Sequence, residues 1–224
     1  MAALSRERGF DRLARPYRLL EFLAFGRDLE RARFRYINEL RACRRILILG
    51  EGDGRFLTRL LGIAQSAQIR CVDRSAAMIA LAAKRCAATG GADRVDFERS
   101  DVLGVQLDPL AYDAVATLFF LDCFTADEVA AIIAKVRPAM APGARWLFAD
   151  FAVPAMGVPR WRARFWLGLL YRFFAWTTDL SARELPPSEE MLGASGLRPV
   201  AGATFQAGLL RTVVFDSPTT DSAV

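Results

Sequence analysis

The chain has 224 residues, 53% hydrophobic and 25% charged, with 30 basic against 25 acidic side chains and no histidine. That length and composition belong to a globular chain able to bury its own core, and they exclude a disordered tail, a collagen-like fibre and a disulfide-stapled miniature. The missing histidine excludes Ser-His-Asp and Cys-His triads, and the four cysteines, Cys43, Cys71, Cys86 and Cys123, form no C-x-x-C pair, so no metal is expected.

Charge is uneven along the chain. The first 45 residues hold twelve arginines against six acids, and the remainder is nearly balanced. A solvated helical face is one reading of that excess, and contact with an anionic membrane surface or substrate is the other. No helix-turn-helix, RRM or zinc-finger pattern accompanies it, so nucleic acid is not an expected partner. The opening MAALSRERGFDRL is too polar for a secretory leader, and scattered cysteines suit a reducing cytoplasm.

Pro16, with Leu13, Tyr17, Leu20 and Ala24 at helical spacing, predicts a first helix that stops at Gly26. A second should run from about Asp28 to Leu40, with Leu29, Tyr36, Ile37 and Leu40 as its apolar stripe. After Arg45 short apolar runs alternate with amphipathic stretches. Strands are expected at 46–49, 69–72, 95–98, 113–118 and 145–151, with helices at 55–65, 75–88 and 126–136 between them. Strand–helix alternation at this spacing predicts a parallel, doubly wound α/β sheet. A long aromatic helix at about 160–176 and a short one near 188–194 follow. The chain then closes with β-rich runs at 197–205 and 209–215, separated by Gln206-Ala207-Gly208, an antiparallel hairpin at the sheet edge.

The most informative segment is Ile46-Leu47-Ile48-Leu49-Gly50-Glu51-Gly52-Asp53-Gly54-Arg55. A buried strand running into alternating glycines and then a helix lets the backbone approach a ligand beside unpaired helix N–H groups. Asp73 closes the second strand, where an acid accepts hydrogen bonds from ribose hydroxyls, and Asp101 follows the third. The dinucleotide fingerprint G-x-G-x-x-G needs glycine where this chain has Arg55, so an adenosine ligand other than a dinucleotide is expected.

These segments resemble the motifs of class I S-adenosylmethionine-dependent methyltransferases over about residues 46–151. Gly50 to Gly54 is similar to the first motif, Val72-Asp73-Arg74-Ser75 with Met78 to the second, and Ser100-Asp101-Val102 to the adenine-contacting one. Tyr112 to Val115 with Phe119 to Asp122 resembles the fourth-strand motif, and Val136 to Ala144 the turn after it. The resemblance implies a Rossmann-like seven-stranded sheet, mostly parallel with an antiparallel C-terminal hairpin strand. N-terminal helices (1–44) would form a lid over a domain at 45–224 with an insert helix at about 158–195. It implies S-adenosylmethionine as cofactor, with Gly50, Gly52 and Gly54 facing its methionine part. Asp73 would bind the ribose, Arg74 would flank the adenine, and Asp101, with Ser100 and the Val102 backbone, would meet the adenine amino group. Leu118 at the end of the fourth strand would line the pocket. Tyr17 and Tyr36, on the N-terminal helices, read either as core residues or as caps of that pocket. The family often has an acid two residues before its first glycine; here that place is Ile48, which directs attention to Glu51 for the cofactor's ammonium end.

A sulfonium methyl donor is already activated, so holding the reactants in line supplies most of the catalysis and a dedicated base is optional. Asp122 is the best-placed acid for orienting an acceptor, with Asp150 behind it, although Asp122 also reads as the N-terminal polar group of the next helix. The segment from Trp161 to Trp176 holds three of the four tryptophans. It reads either as a helix buried against the sheet or a second copy of the chain, or as a greasy acceptor pocket or interfacial face. The expected function is methyl transfer to a small hydrophobic acceptor such as a quinone precursor, a phenol or a lipid amine. A cofactor-binding scaffold without catalysis is the other reading.

Overall fold

The computed structural model describes residues 27–152 and 185–219. In chain order these form α1 (Asp28–Phe34), β1 (Arg45–Leu49), α2 (Arg55–Ile63), β2 (Gln68–Asp73), α3 (Ala76–Thr89), β3 (Val95–Arg99) and β4 (Tyr112–Leu118). They continue with α4 (Ala126–Val136), β5 (Met140–Phe151), α5 (Ser188–Ala194), β6 (Arg198–Phe205) and β7 (Leu210–Asp216). The seven strands make one sheet in the order β3-β2-β1-β4-β5-β7-β6. Strands β1 to β5 pair in parallel and β7 runs antiparallel between β5 and β6. The Rossmann-like sheet and its C-terminal hairpin are therefore as the sequence predicts.

Strand β1 is buried on both faces, the mark of a central parallel strand. Leu47 and Leu49 join Trp146, Phe148, Val213 and the inner faces of α4 and α5 on one side. Ile46 and Ile48 join Leu147, Ala149 and the inner faces of α2 and α3 on the other. Because Ile48 is 1% exposed in that second layer, a carboxylate there would require a partner, and packing accounts for its aliphatic side chain.

Two expected boundaries are corrected. The helix expected over 28–40 ends at Phe34, Tyr36 leaves helical geometry, and a 3₁₀ turn follows at Ile37–Leu40. The stripe serves two places: Leu29 and Ala32 pack on Phe151, Leu209 and Leu210 at one end of the sheet, while Ile37 and Leu40 enter the layer under α2. One straight helix cannot reach both. Strand β5 starts at Met140 rather than Arg145, because Met140 pairs with Tyr112 ahead of an irregularity and Gly143 turns with φ +69°. The first helix, Tyr17, and the aromatic segment 160–176 lie outside the described residues. Among the described residues, no helix is long and apolar enough to cross a membrane.

Candidate active site

Strand order reverses at β1, whose neighbours are β2 on one side and β4 on the other. Crossovers diverge there, leaving a crevice at the C-terminal ends of the strands where open α/β sheets take their ligands. The glycine loop opens from the end of β1 into it, and Gly50, Gly52 and Gly54 all have positive φ, +69°, +70° and +84°.

Each glycine has its own reason. A Cβ on Gly50 would lie 2.1 Å from the Phe120 ring, and one on Gly54 would lie 2.6 Å from the Ala82 backbone of α3. A Cβ on Gly52 would meet nothing within 4 Å, so only this glycine opens onto free space.

Beside that open position sits Asp73. One carboxylate oxygen accepts from the Gly52 N–H at 3.3 Å and the other from the Ser75 N–H at 2.9 Å. Burial raises its pKa, and the two N–H groups and Arg74 oppose the rise. Ser75 also caps α3 by accepting from Met78 N–H, so the acid is fixed between a loop and a helix start. Asp101 is half-exposed, accepts from the Leu103 N–H at 2.9 Å and stands 3.7 Å from Arg74. Ser100 hangs from the Asp73 carbonyl through its backbone N–H, Val102 is buried, and Leu118 is buried at the end of β4.

Glu51 does not face the opening. It is 8% exposed, and its Oε1 accepts the Leu57 N–H at 2.9 Å, satisfying an orphan donor in the first turn of α2 where the N-cap residue is a glycine. Burial pushes its carboxyl up to about 8, against the pull of that N–H and of Arg33. Asp53 binds Arg55 at 2.9 Å and Arg85 at 3.2 Å, pinning the loop to α2 and α3.

On the β4 side Phe119 takes φ +58°, a strained conformation for a bulky residue. The turn sends the two phenylalanines apart. Phe119 packs on Phe151 under the Arg33 guanidinium, and Phe120 packs on Gly50 and, edge-on, on Phe124. The same turn brings Asp122 back to β5. Its N–H donates to the Asp150 carboxylate at 3.0 Å. Asp150 is 2% exposed, and burial followed by the Asp122 charge holds its pKa well above the usual carboxylate range.

The N-cap of α4 is Thr125, in a reciprocal capping box with Glu128, so Asp122 does not play that part. Phe119 and Phe120 stand in the segment that resembles the fourth-strand motif, but the left-handed turn at Phe119 and the approach of Arg33 carry no sequence signal and come only through the fold. Tyr36 packs into the α2-side layer with Arg35 over its ring.

The donor set tells which ligand fits. Acids at the ends of β2 and β3 suit neutral ribose hydroxyls and an adenine amino group. The nearby arginines Arg55 and Arg85 pair with Asp53, and Arg74 stands near Asp101. Fold and strand-end acids define a Rossmann-like α/β protein. A family model for the methyltransferase domain matches residues 46–143. Demethylmenaquinone methyltransferase of Thermus thermophilus is 30% identical over 167 residues, covering 74% of this chain and 70% of that protein. The chain belongs to the class I S-adenosylmethionine-dependent methyltransferases, and it is an enzyme. Among solved structures, the N-methyltransferase NodS of Bradyrhizobium japonicum shares the fold at TM-score 0.59 and 16% identity, over 85% of this chain and 97% of that one. The mitomycin 7-O-methyltransferase MmcR does so at 0.66 and 20%, over 86% and 54%. The [4+2]-cyclase SpnF also shares it, at 0.60 and 16% over 82% and 80%, so the acceptor chemistry has to be argued from the site and not the fold.

Proposed function

We propose that the enzyme methylates a small hydrophobic acceptor carrying a ring hydroxyl, of phenol or quinol type. S-adenosylmethionine, when bound, supplies an electrophilic methyl group on a sulfonium sulfur. The observation that carries the cofactor site is the Asp73 carboxylate tied to the N–H of Gly52, the one loop glycine with open space beside it. In this reading Asp73 accepts from the ribose hydroxyls, Arg74 flanks the adenine, and Asp101 with Ser100 and Val102 meets the adenine edge. Gly52 admits the methionine part, and Gly50 and Gly54 hold the loop's shape by close packing. Glu51 supports the loop from beneath through α2, and Leu118 lines the floor.

The acceptor side is aromatic. Phe119, Phe120, Phe124 and Phe151 surround the turn that carries Asp122, a setting suited to a flat ring, and α1 lies against Phe151. The similarity to a protein named for demethylmenaquinone supports a quinol-like ring over a lipid amine. Asp122 would orient the acceptor hydroxyl, and water exclusion with alignment would supply the larger part of the rate.

Calorimetric titration of the full chain with S-adenosylmethionine and S-adenosylhomocysteine tests the cofactor site. Both should bind in the micromolar range, and Asp73→Ala should weaken each at least tenfold; unchanged affinity in the variant would remove Asp73 from the site. Methyl transfer to quinols and phenols but not to lipid amines is the expected acceptor pattern.

A further inference from the structure

Two acids from different strand ends come together beside the turn after β4, on the side read above as the acceptor side. Asp122 is not the cap of α4, a part taken by Thr125 and Glu128. Asp150, 2% exposed at the end of β5, accepts the N–H groups of Phe151 and Asp122, each at 3.0 Å, and so lies beside the Asp122 turn. A carboxyl buried to this degree beside a second acid favours its protonated form, burial first and the Asp122 charge second, so the two acids together favour holding one proton.

We propose that Asp122 and Asp150 act as a one-proton carboxyl pair, Asp122 taking the proton of the acceptor hydroxyl and Asp150 serving as the positioning residue that holds Asp122 ready. The proposal rests on the reading of this groove as the methyl-transfer site. The acceptor oxygen forms its bond to the methyl carbon, and the carbon–sulfur bond breaks with its electron pair left on sulfur. The hydroxyl, made strongly acidic as its oxygen is alkylated, gives its proton to Asp122, and the pair later returns one proton to water. No further reactant is needed.

The surroundings favour this use. Cys123 lies in the same turn, half-buried, and its thiol donates to Asp122 at 3.7 Å. Arg211 stands opposite Asp150 in the β5–β7 register but is taken by Glu189 of α5 through two bonds of 2.8 Å. Arg33 of α1 lies over the Phe119 ring, where a cation and a ring hold each other. The pair also specifies the acceptor: it requires an O–H donor, which a phenol or hydroquinone has and a tertiary amine lacks.

A purely mechanical role, Asp150 strapping the Asp122 turn to β5, is the competing account, and Asp150→Asn separates the two. Asparagine keeps an acceptor for the Asp122 N–H but cannot share a carboxyl proton. Isotope-edited infrared spectra of the ligand-free protein with labelled aspartate should show a protonated carboxyl band at pH 7 that Asp150→Asn and Asp122→Asn each abolish. In Asp150→Asn the affinity for S-adenosylhomocysteine should stay within about twofold. The kcat for a phenolic acceptor should fall about 100-fold, with the acid limb of its pH profile displaced. Absence of the band in the wild-type protein, or a variant with wild-type kcat and pH profile, overturns the pair. Failure of the wild-type chain to bind S-adenosylhomocysteine would instead overturn the methyl-transfer site while leaving the infrared result standing. Should Asp150→Asn fail to fold, Asp122→Asn carries both readouts.

Discussion

At the scale of single residues, the three loop glycines look alike in sequence and differ in what surrounds them. Alanine at Gly52 adds only the strain of a positive φ, about 1–2 kcal/mol, into open space. At Gly50 it also strikes the Phe120 ring, a side chain that would have to swing aside, and at Gly54 it strikes backbone, which cannot. Urea unfolding should rank the losses Gly54→Ala, then Gly50→Ala, then Gly52→Ala, and a largest loss at Gly52 would contradict the packing. Cofactor affinity should fall most at Gly52 relative to its small stability loss. Glu51 sets a pH dependence. Its folded pKa is about 8 against an ordinary 4.5, so between those values the folded chain keeps a proton that the unfolded chain has released. Its contribution to stability is therefore complete below pH 4.5 and lost as the pH rises to 8, at up to about 1.4 kcal/mol per pH unit. Asp150, also raised, acts in the same direction. Urea midpoints should fall from pH 5 to pH 8, and Glu51→Gln should flatten the slope; an unchanged slope would place the effect elsewhere.

At the scale of elements, local chemistry and tertiary demand divide the work. The capping box of α4 is local: Thr125 accepts from the Glu128 N–H and Glu128 from the Thr125 N–H. Thr125→Ala should cost about 1 kcal/mol, read as a lowered Tm with cofactor affinity unchanged. Helix α1 is the opposite case. Its helical periodicity continues past Phe34, yet it ends there because Phe34 stacks on Phe56 of α2 with Arg59 over it, while Leu29 and Ala32 bury at the far ends of β5 and β7. The Arg55–Glu30 contact at 3.9 Å is exposed and worth little, so apolar burial holds α1 against Phe151, Leu209 and Leu210.

At the scale of the whole molecule, the strand order makes the site. Gly50–Gly54, Asp73, Asp101, Asp122 and Asp150 stand at the ends of five different strands or in the loops just after them, and only a reversal of strand order between β1 and β4 brings them around one crevice. A ligand that binds there must stabilise the folded state. At 100 times its Kd, S-adenosylhomocysteine should add about 2.7 kcal/mol, a rise of about 5–10 °C in Tm for a chain of this size. The shift should disappear in Asp73→Ala. A full shift in that variant would mean that the ligand binds elsewhere.

The sequence by itself determined the strand and helix alternation, the glycine loop, the acids ending β2 and following β3, and the family that these motifs resemble. Each is written in local periodicity or in residues a few positions apart. It did not determine that Glu51 turns inward to α2, that Gly50 is closed by Phe120, or that Asp122 meets Asp150. Those depend on side chains separated by anything from 6 to 70 positions and on a left-handed phenylalanine with no signature of its own. Spacing fixes which face of an element a residue occupies. Only the order of strands and the closing of the core around them decide which other residue it touches, because burial is satisfied across the whole chain at once.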